Sequence, residues 1–300
     1  VTEFEPCTLA DPSSDLTATF VPGAGMIGTS LSDGGEELLG QRRGLRAYVF
    51  EAKTMGIPLL YPWANRLSGK GYRVGATEVA LTPGSGGVHT DEHGAPIHGT
   101  LAGDPGWRVT ERSATTVTAE LDFGSRPELL ASFPFPHLLS LAVSLADRIL
   151  TVRTTVTATT GAAVPLCFGF HPYLQLPGVL RDQWRMETPP MRARLVDARG
   201  IPTGATEPHP AISESLGEQV FDDGFDDVPA GAVFAVSGGG RRIEVHFDTG
   251  YPAAQIYAPA TDDVICFEPM AAPTDALRRG GYRMARQGAP GVAQFSIRVR

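Results

Sequence analysis

The chain has 300 residues, 42% of them apolar and 19% charged, with a formal net charge of −8. Such a chain can bury a large core and is not disordered. The negative balance argues against a nucleic-acid or anionic-membrane partner, and no stretch is long and apolar enough to span a membrane.

In chain order, Val1-Thr-Glu-Phe-Glu-Pro6 is acidic and lacks a signal-peptide pattern. Three cysteines, Cys7, Cys167 and Cys266, do not suggest a disulfide framework. The expected setting is therefore reducing and cytoplasmic. The first predicted strand is Leu16–Val21. In Tyr61-Pro-Trp-Ala-Asn-Arg-Leu67, Arg66 offers a planar set of donors suited to oxygen-rich ligands. Asn65, the only asparagine of the chain, stands beside it, and Trp63 would supply an apolar platform.

Residues 84–96 are long for a plain connection, which favours a binding role. They carry His89-Thr-Asp-Glu-His93, followed by Pro96-Ile-His-Gly99. Three histidines within ten residues raise the question of a metal, but Gly94 and Pro96 break any helix and the spacing is not that of a zinc helix. The expectation is no metal: His98 is the site residue, with Gly99 allowing close backbone approach, while His89 and His93 belong to a solvated loop.

Predicted strands follow at 107–111, 115–123, 138–145 and Ile149–Ala158, with a turn or two of helix at 127–132. Ile149–Ala158 alternates Leu150, Val152, Thr154 and Val156 against Thr151, Arg153, Thr155 and Thr157. Residues 199–227 read as a second long loop. Its end, Phe221-Asp-Asp-Gly-Phe-Asp-Asp227, lacks the ligand spacing of an EF-hand. One aspartate, Asp222 or Asp223, is expected to accept hydrogen bonds from a polyol. Strands at 232–236 and 241–247 flank the hairpin signal Ser237-Gly-Gly-Gly240. Further strands are predicted at 255–257 and 292–299, and a short helix at 274–279. Arg278, Arg279, Arg283 and Arg286 form either an anion site or a solvated basic face.

Two ionisable residues stand before prolines at the ends of apolar runs: His171 in Leu166-Cys-Phe-Gly-Phe-His-Pro-Tyr173, and Glu268 in Val264-Ile-Cys-Phe-Glu-Pro-Met270. A residue before proline is pushed to extended geometry, and proline marks a strand end or edge. Each run therefore reads as a strand delivering one acid–base side chain at its terminus. Alternation would put Cys167, Gly169 and His171 on one face of their strand, and Cys266 with Glu268 on one face of theirs. A histidine and a carboxylate held in this way are the minimum apparatus for proton transfer near neutral pH. Many short strands, 35 glycines and 25 prolines predict an all-β chain: one large antiparallel β-sandwich over residues 1–300, with few short helices. No Gly-x-Gly-x-x-Gly or phosphate-loop signature is present, so no nucleotide cofactor is expected.

Taken in order, five segments resemble the aldose 1-epimerase (galactose mutarotase) family: Pro62-Trp-Ala-Asn-Arg-Leu67, Ile97-His-Gly99 with Gly106-Trp107, Phe170-His-Pro-Tyr173, Asp222-Asp-Gly-Phe225 and Cys266-Phe-Glu-Pro-Met270. The resemblance implies a galactose mutarotase-like supersandwich that interconverts the α and β anomers of a free hexose, without metal or other cofactor. By position, Glu268 would be the general base at the anomeric hydroxyl and His171 the general acid at the ring oxygen. Arg66, His98 and Asp222, with Asn65, would bind the sugar. Where the best-known branch has Thr-Asn-His, this chain has Phe-Gly-Phe-His171, and the sugar stays open. The alternatives are a hexose-6-phosphate mutarotase and a non-catalytic sugar-binding sandwich. The expected partner is a monosaccharide, and the expected state a monomer or homodimer.

Overall fold

Strict alternation builds the larger sheet. His137–Ala146 and Ile149–Ala158 bury every second residue and pair antiparallel over ten positions. In the computed structural model, which describes residues 4–300, they are central to a nine-stranded sheet. Its order is Ile212–Ser215, Arg185–Thr188, Ala232–Gly238, Arg241–Thr249, Gly291–Val299, Ile149–Ala158, His137–Ala146, Thr116–Asp122 and Arg108–Arg112. A second, eight-stranded sheet runs Pro202–His209, Met191–Val196, Phe221–Asp226, Ala253–Ala258, Ile265–Met270, Gly169–Phe170 and Leu59–Leu60, with Tyr173–Leu174 also on Ile265–Met270. A four-stranded sheet begins at Cys7–Ala10, and two two-stranded pairs complete the set, the hairpin of Gly71–Val74 with Thr77–Ala80 and the long-range pair of Val164–Leu166 with Arg283–Ala285. Every pairing between named strands is antiparallel.

The two large sheets pack face to face. Phe170 of the smaller sheet meets Phe295 of the larger at 4.9 Å between ring centroids, and Phe267 meets Phe234 at 5.6 Å. All four rings are fully buried, and burial of each contributes roughly 1.5–3 kcal/mol. The fold is thus the all-β sandwich expected. Its α-helices among the described residues are Gly44–Glu51, Pro127–Leu130 and Ala276–Arg279.

Three expectations need correction. Residues 199–227 are not a loop: they hold the strands Pro202–His209, Ile212–Ser215 and Phe221–Asp226. The first two are mostly exposed and edge their sheets, so they carry no apolar run to betray them. Pro202 and Pro208 are tolerated because an edge strand need not donate every N–H. Second, Glu268 is not at a strand end but fourth of six residues in Ile265–Met270. Third, residues 166–173 are not one strand. Val164–Leu166 pairs with Arg283–Ala285, whereas Gly169–Phe170 and Tyr173–Leu174 pair with Ile265–Met270. His171-Pro172 lies between them. The helix Gly44–Glu51 was also unexpected; at eight residues it offers only two turns of periodicity.

Candidate active site

Gly169 pairs with Met270 and Tyr173 with Cys266. Both pairs belong to one antiparallel register, which sets His171 opposite Glu268. The same register sets Phe170 opposite Pro269 and Pro172 opposite Phe267. Neither proline has an N–H to give, so the ladder opens around the histidine and the glutamate. Side-chain alternation then separates two tasks. Phe170 and Phe267 point into the core between the sheets, and His171 and Glu268 point to the opposite face. There His171 Nε2 lies 3.3 Å from Glu268 Oε1.

The register continues across the sheet. Gln255 pairs with Glu268, and Asp222 pairs with Tyr257. Gln255 Nε2 donates to Asp222 Oδ1 at 2.8 Å. Asp223 pairs with the buried core residue Ile256 and so falls on the other face. Of the two aspartates, only Asp222 lines the cavity described below.

Two loop segments close over this face. Residues 61–67 are tied to residues 96–100 by Thr100 N–H to Tyr61 O at 2.7 Å, His98 N–H to Asn65 O at 3.0 Å and Leu67 N–H to Pro96 O at 2.8 Å. The approach is so close that a Cβ on Gly99 would lie 2.0 Å from Tyr61 O. Asn65 and His98 both adopt left-handed backbone, with φ of 53° and 59°, at a cost of roughly 1–2 kcal/mol each. Arg66 projects from this clamp. Its Nε donates to Asp91 Oδ2 at 2.9 Å and its NH1 to Asn65 Oδ1 at 3.3 Å, with Asp222 Oδ2 at 3.5 Å from NH1. Burial works to raise the Asp91 carboxyl, but the Ala95 N–H, Arg66 and the His93 N–H hold it below its ordinary value.

Together these elements enclose a cavity of about 160 Å³. Pockets for drug-sized ligands run to about 300–1,000 Å³, so this one suits a molecule of monosaccharide size. Asn65, Arg66, His98, His171, Asp222 and Glu268 all line it. So do Arg42, Thr54, Tyr173, Gln255 and Tyr257, which sequence reasoning missed. Tyr173 had a readable signal, since it stands two residues from His171 on the same face. Gln255 becomes visible only through the register, and Arg42 precedes the unexpected helix. His93 is exposed, while His89 is half-buried beside the cavity rather than solvated. The four arginines read as either an anion site or a solvated basic face do not line the cavity; of these, Arg279 is engaged by Asp275, Arg278 by Ser68 and Arg283 by Gly250 O.

Electrostatics give the pair a shared character. Glu268 and His171 are 1% and 5% exposed. Burial pushes the Glu268 carboxyl well above the usual range; Asp222 adds to this and Arg66 opposes it. Burial pushes the His171 imidazolium well below its usual value, and His98 and Arg42 add to this. Both effects disfavour net charge on the pair, so the state holding one proton between the two side chains is favoured over a wide pH range. His98 is held down to about 3, by burial first and then by Arg66 and His89, and is neutral near pH 7.

A polar, sugar-sized cavity with an acid–base pair, on the outer face of one sheet of a large β-sandwich, defines a galactose mutarotase-like protein. The aldose 1-epimerase family model matches residues 16–288, and the chain belongs to that family. Its backbone is similar to that of the Slr1438 protein of Synechocystis sp. PCC 6803, with 20% identity, 99% and 96% of the two chains covered and a TM-score of 0.81. A galactose mutarotase-like protein from Clostridium acetobutylicum gives 14%, 100% and 99%, and 0.82. The aldose epimerase homologue from C. elegans gives 16%, 99% and 99%, and 0.76. No curated protein matches the chain.

Proposed function

We propose that the protein is an aldose 1-epimerase that interconverts the anomers of a free hexose. The observation that carries this reading is the His171–Glu268 pair, 3.3 Å apart and buried beside a cavity of monosaccharide size. The single proton of the pair can sit on either residue. With the proton on His171, the carboxylate accepts the anomeric hydroxyl proton while the imidazolium protonates the ring oxygen. The bond from C1 to the ring oxygen breaks and the sugar opens to its aldehyde. The pair is then a neutral acid and a neutral imidazole, the charge state that burial favours. Rotation about C1–C2 and reversal of the proton transfers close the ring on the other face. No electrons leave the sugar, so no redox cofactor is required. Arg66, His98, Asp222 and Asn65, joined by Gln255, hold the hydroxyls.

Within the cavity the cations already have partners: Arg66 meets Asp91 and Asp222, and Arg42 meets Asp262 at 3.0 Å. This favours a neutral sugar. A second reading, a hexose phosphate, is favoured by one observation. A groove continuous with the cavity at Arg42, Thr54 and Ile97 carries Lys53, which has no carboxylate partner among the described residues. The test is the decay of optical rotation of fresh α-glucose or α-galactose, run beside a 6-phosphorylated hexose. Acceleration of the free sugars supports the first reading. Acceleration confined to the phosphate, and lost in Lys53→Ala, supports the second. Saturable binding of sugar with no acceleration of either would make the protein a binding sandwich and overturn both.

A further inference from the structure

Tyr173 lies against His171 with the two rings nearly parallel, 8° between planes and 4.3 Å between centroids. Its hydroxyl oxygen is 3.2 Å from His171 Nε2. Parallel planes place that oxygen over the face of the imidazole, whereas the lone pair and the N–H of Nε2 lie in the ring plane. The contact is therefore not a phenol-to-nitrogen hydrogen bond. The in-plane direction of Nε2 is left to Glu268 Oε1 and to a substrate.

Two neighbours decide which way the phenol points. Arg42 NH1 lies 3.2 Å from the Tyr173 oxygen and can only donate. Thr54 Oγ1 lies 2.6 Å away and can accept. With the imidazole lone pair out of line, the phenolic hydrogen goes to Thr54. Electron density on the oxygen is then presented to Nε2. The other groups facing the imidazole are Glu268, which favours its charged form, Arg42, which opposes it, His98 at 5.7 Å between ring centroids, and Tyr257, which presents its edge at 5.5 Å.

We infer that Tyr173 is a positioning residue: its ring fixes the plane of His171, and its hydroxyl, oriented by Thr54 and Arg42, favours the imidazolium. The use made of that imidazolium rests on the proposed epimerase reading, but its protonation does not. The test is a ¹⁵N NMR titration of His171 in the whole, unliganded chain, for wild type, Tyr173→Phe and Thr54→Val. Tyr173→Phe keeps the stacked ring and removes only the oxygen. His171 is expected to lose proton affinity by about threefold in that variant, about half a pH unit on its titration. Thr54→Val, which frees the phenolic hydrogen to turn, should move it the same way by less. In turnover, Tyr173→Phe should lower kcat by a similar factor with KM little changed, and its acid limb should move to lower pH. A His171 titration unchanged in Tyr173→Phe, or moved to higher pH, overturns the inference. Failure of the wild type to epimerise sugars would sink the proposed function while leaving the titration to decide this point.

Discussion

Pro172 and Pro269 flank the His171–Glu268 pair on opposite sides, one in each segment of a shared antiparallel register. Each follows its own acid–base residue in sequence, and because the strands run in opposite directions the two prolines bracket the pair. Backbone donors are thereby removed on both sides of it. The side chains face one another where the sheet has few hydrogen bonds of its own but is still held by pairing above and below.

Replacing Glu268 by Gln keeps the shape and removes the base. The rate of optical-rotation decay should fall by about 10²–10⁴, the usual contribution of a positioned proton-transfer group. Sugar binding, read by calorimetry, should survive. Full activity in Glu268→Gln would remove Glu268 from the mechanism.

The dependence of kcat/KM on pH should be a broad bell. The active form holds one proton on the pair; a second proton abolishes the base, and loss of the first abolishes the acid. Without burial that window would lie between the ordinary carboxylate and imidazole values, 4.5 and 6.5. Burial disfavours net charge at either end. The acid limb should therefore fall below 4.5 and the alkaline limb above 6.5. A narrow bell between those values would contradict a buried pair.

Stability should report the same burial with a defined sign. Glu268 has a raised value in the folded state, so its contribution is fully present below 4.5 and is lost as pH rises through the folded value. Glu268→Gln, which cannot ionise, should be more stable than wild type at alkaline pH, with the gap narrowing toward acid. Thermal melts of both proteins at several pH values measure this. The gain in stability would accompany a loss of function.

Under the proposed function, Asp91 would act on the sugar through Arg66. Asp91→Ala deletes the acceptor of Arg66 Nε and of the Ala95 and His93 N–H groups. A hydrogen bond to a charged group contributes roughly 1.5–3 kcal/mol, so KM should rise by about tenfold or more, with kcat affected less. Equal losses in both constants would mean that Asp91 serves the transition state instead.

Gly99→Ala should damage the clamp that presents Arg66 and His98. The new methyl group would meet Tyr61 O, and the backbone there has φ of 72°. Left-handed backbone costs about 1–2 kcal/mol for a residue with Cβ, and the clash adds to it. Denaturant melts should show lower stability, and sugar affinity should fall with it.

Much of the fold was legible because its central strands alternate. The run Leu150, Val152, Thr154, Val156 gave the strand Ile149–Ala158 to the residue. The edge strands were not, since Pro202–His209 and Ile212–Ser215 have no buried face to write into the sequence. The proline after His171 and the proline after Glu268 did mark two residues that meet in one cavity, but for a different reason than strand ends. They mark a gap in a ladder, which requires knowing that the two segments are partners. The same partnership separates Asp222 from Asp223 and brings in Gln255. These are facts of register, and register is a relation between segments that no single segment carries.

Residues 61–67 and 96–100 are laced together by their own backbones, yet His171 and Glu268 belong to the sheet beneath them. Under the proposed function, Arg66 and His98 are presented by the clamp, whereas Asp222 and Gln255 share the sheet of the pair. On that reading, exchanges within the clamp, or along the groove beyond Thr54, would retune which sugar is accepted without disturbing the spacing of His171 and Glu268. For the proposed epimerase, such a plan would let a lineage diversify its diet while inheriting its reaction unchanged.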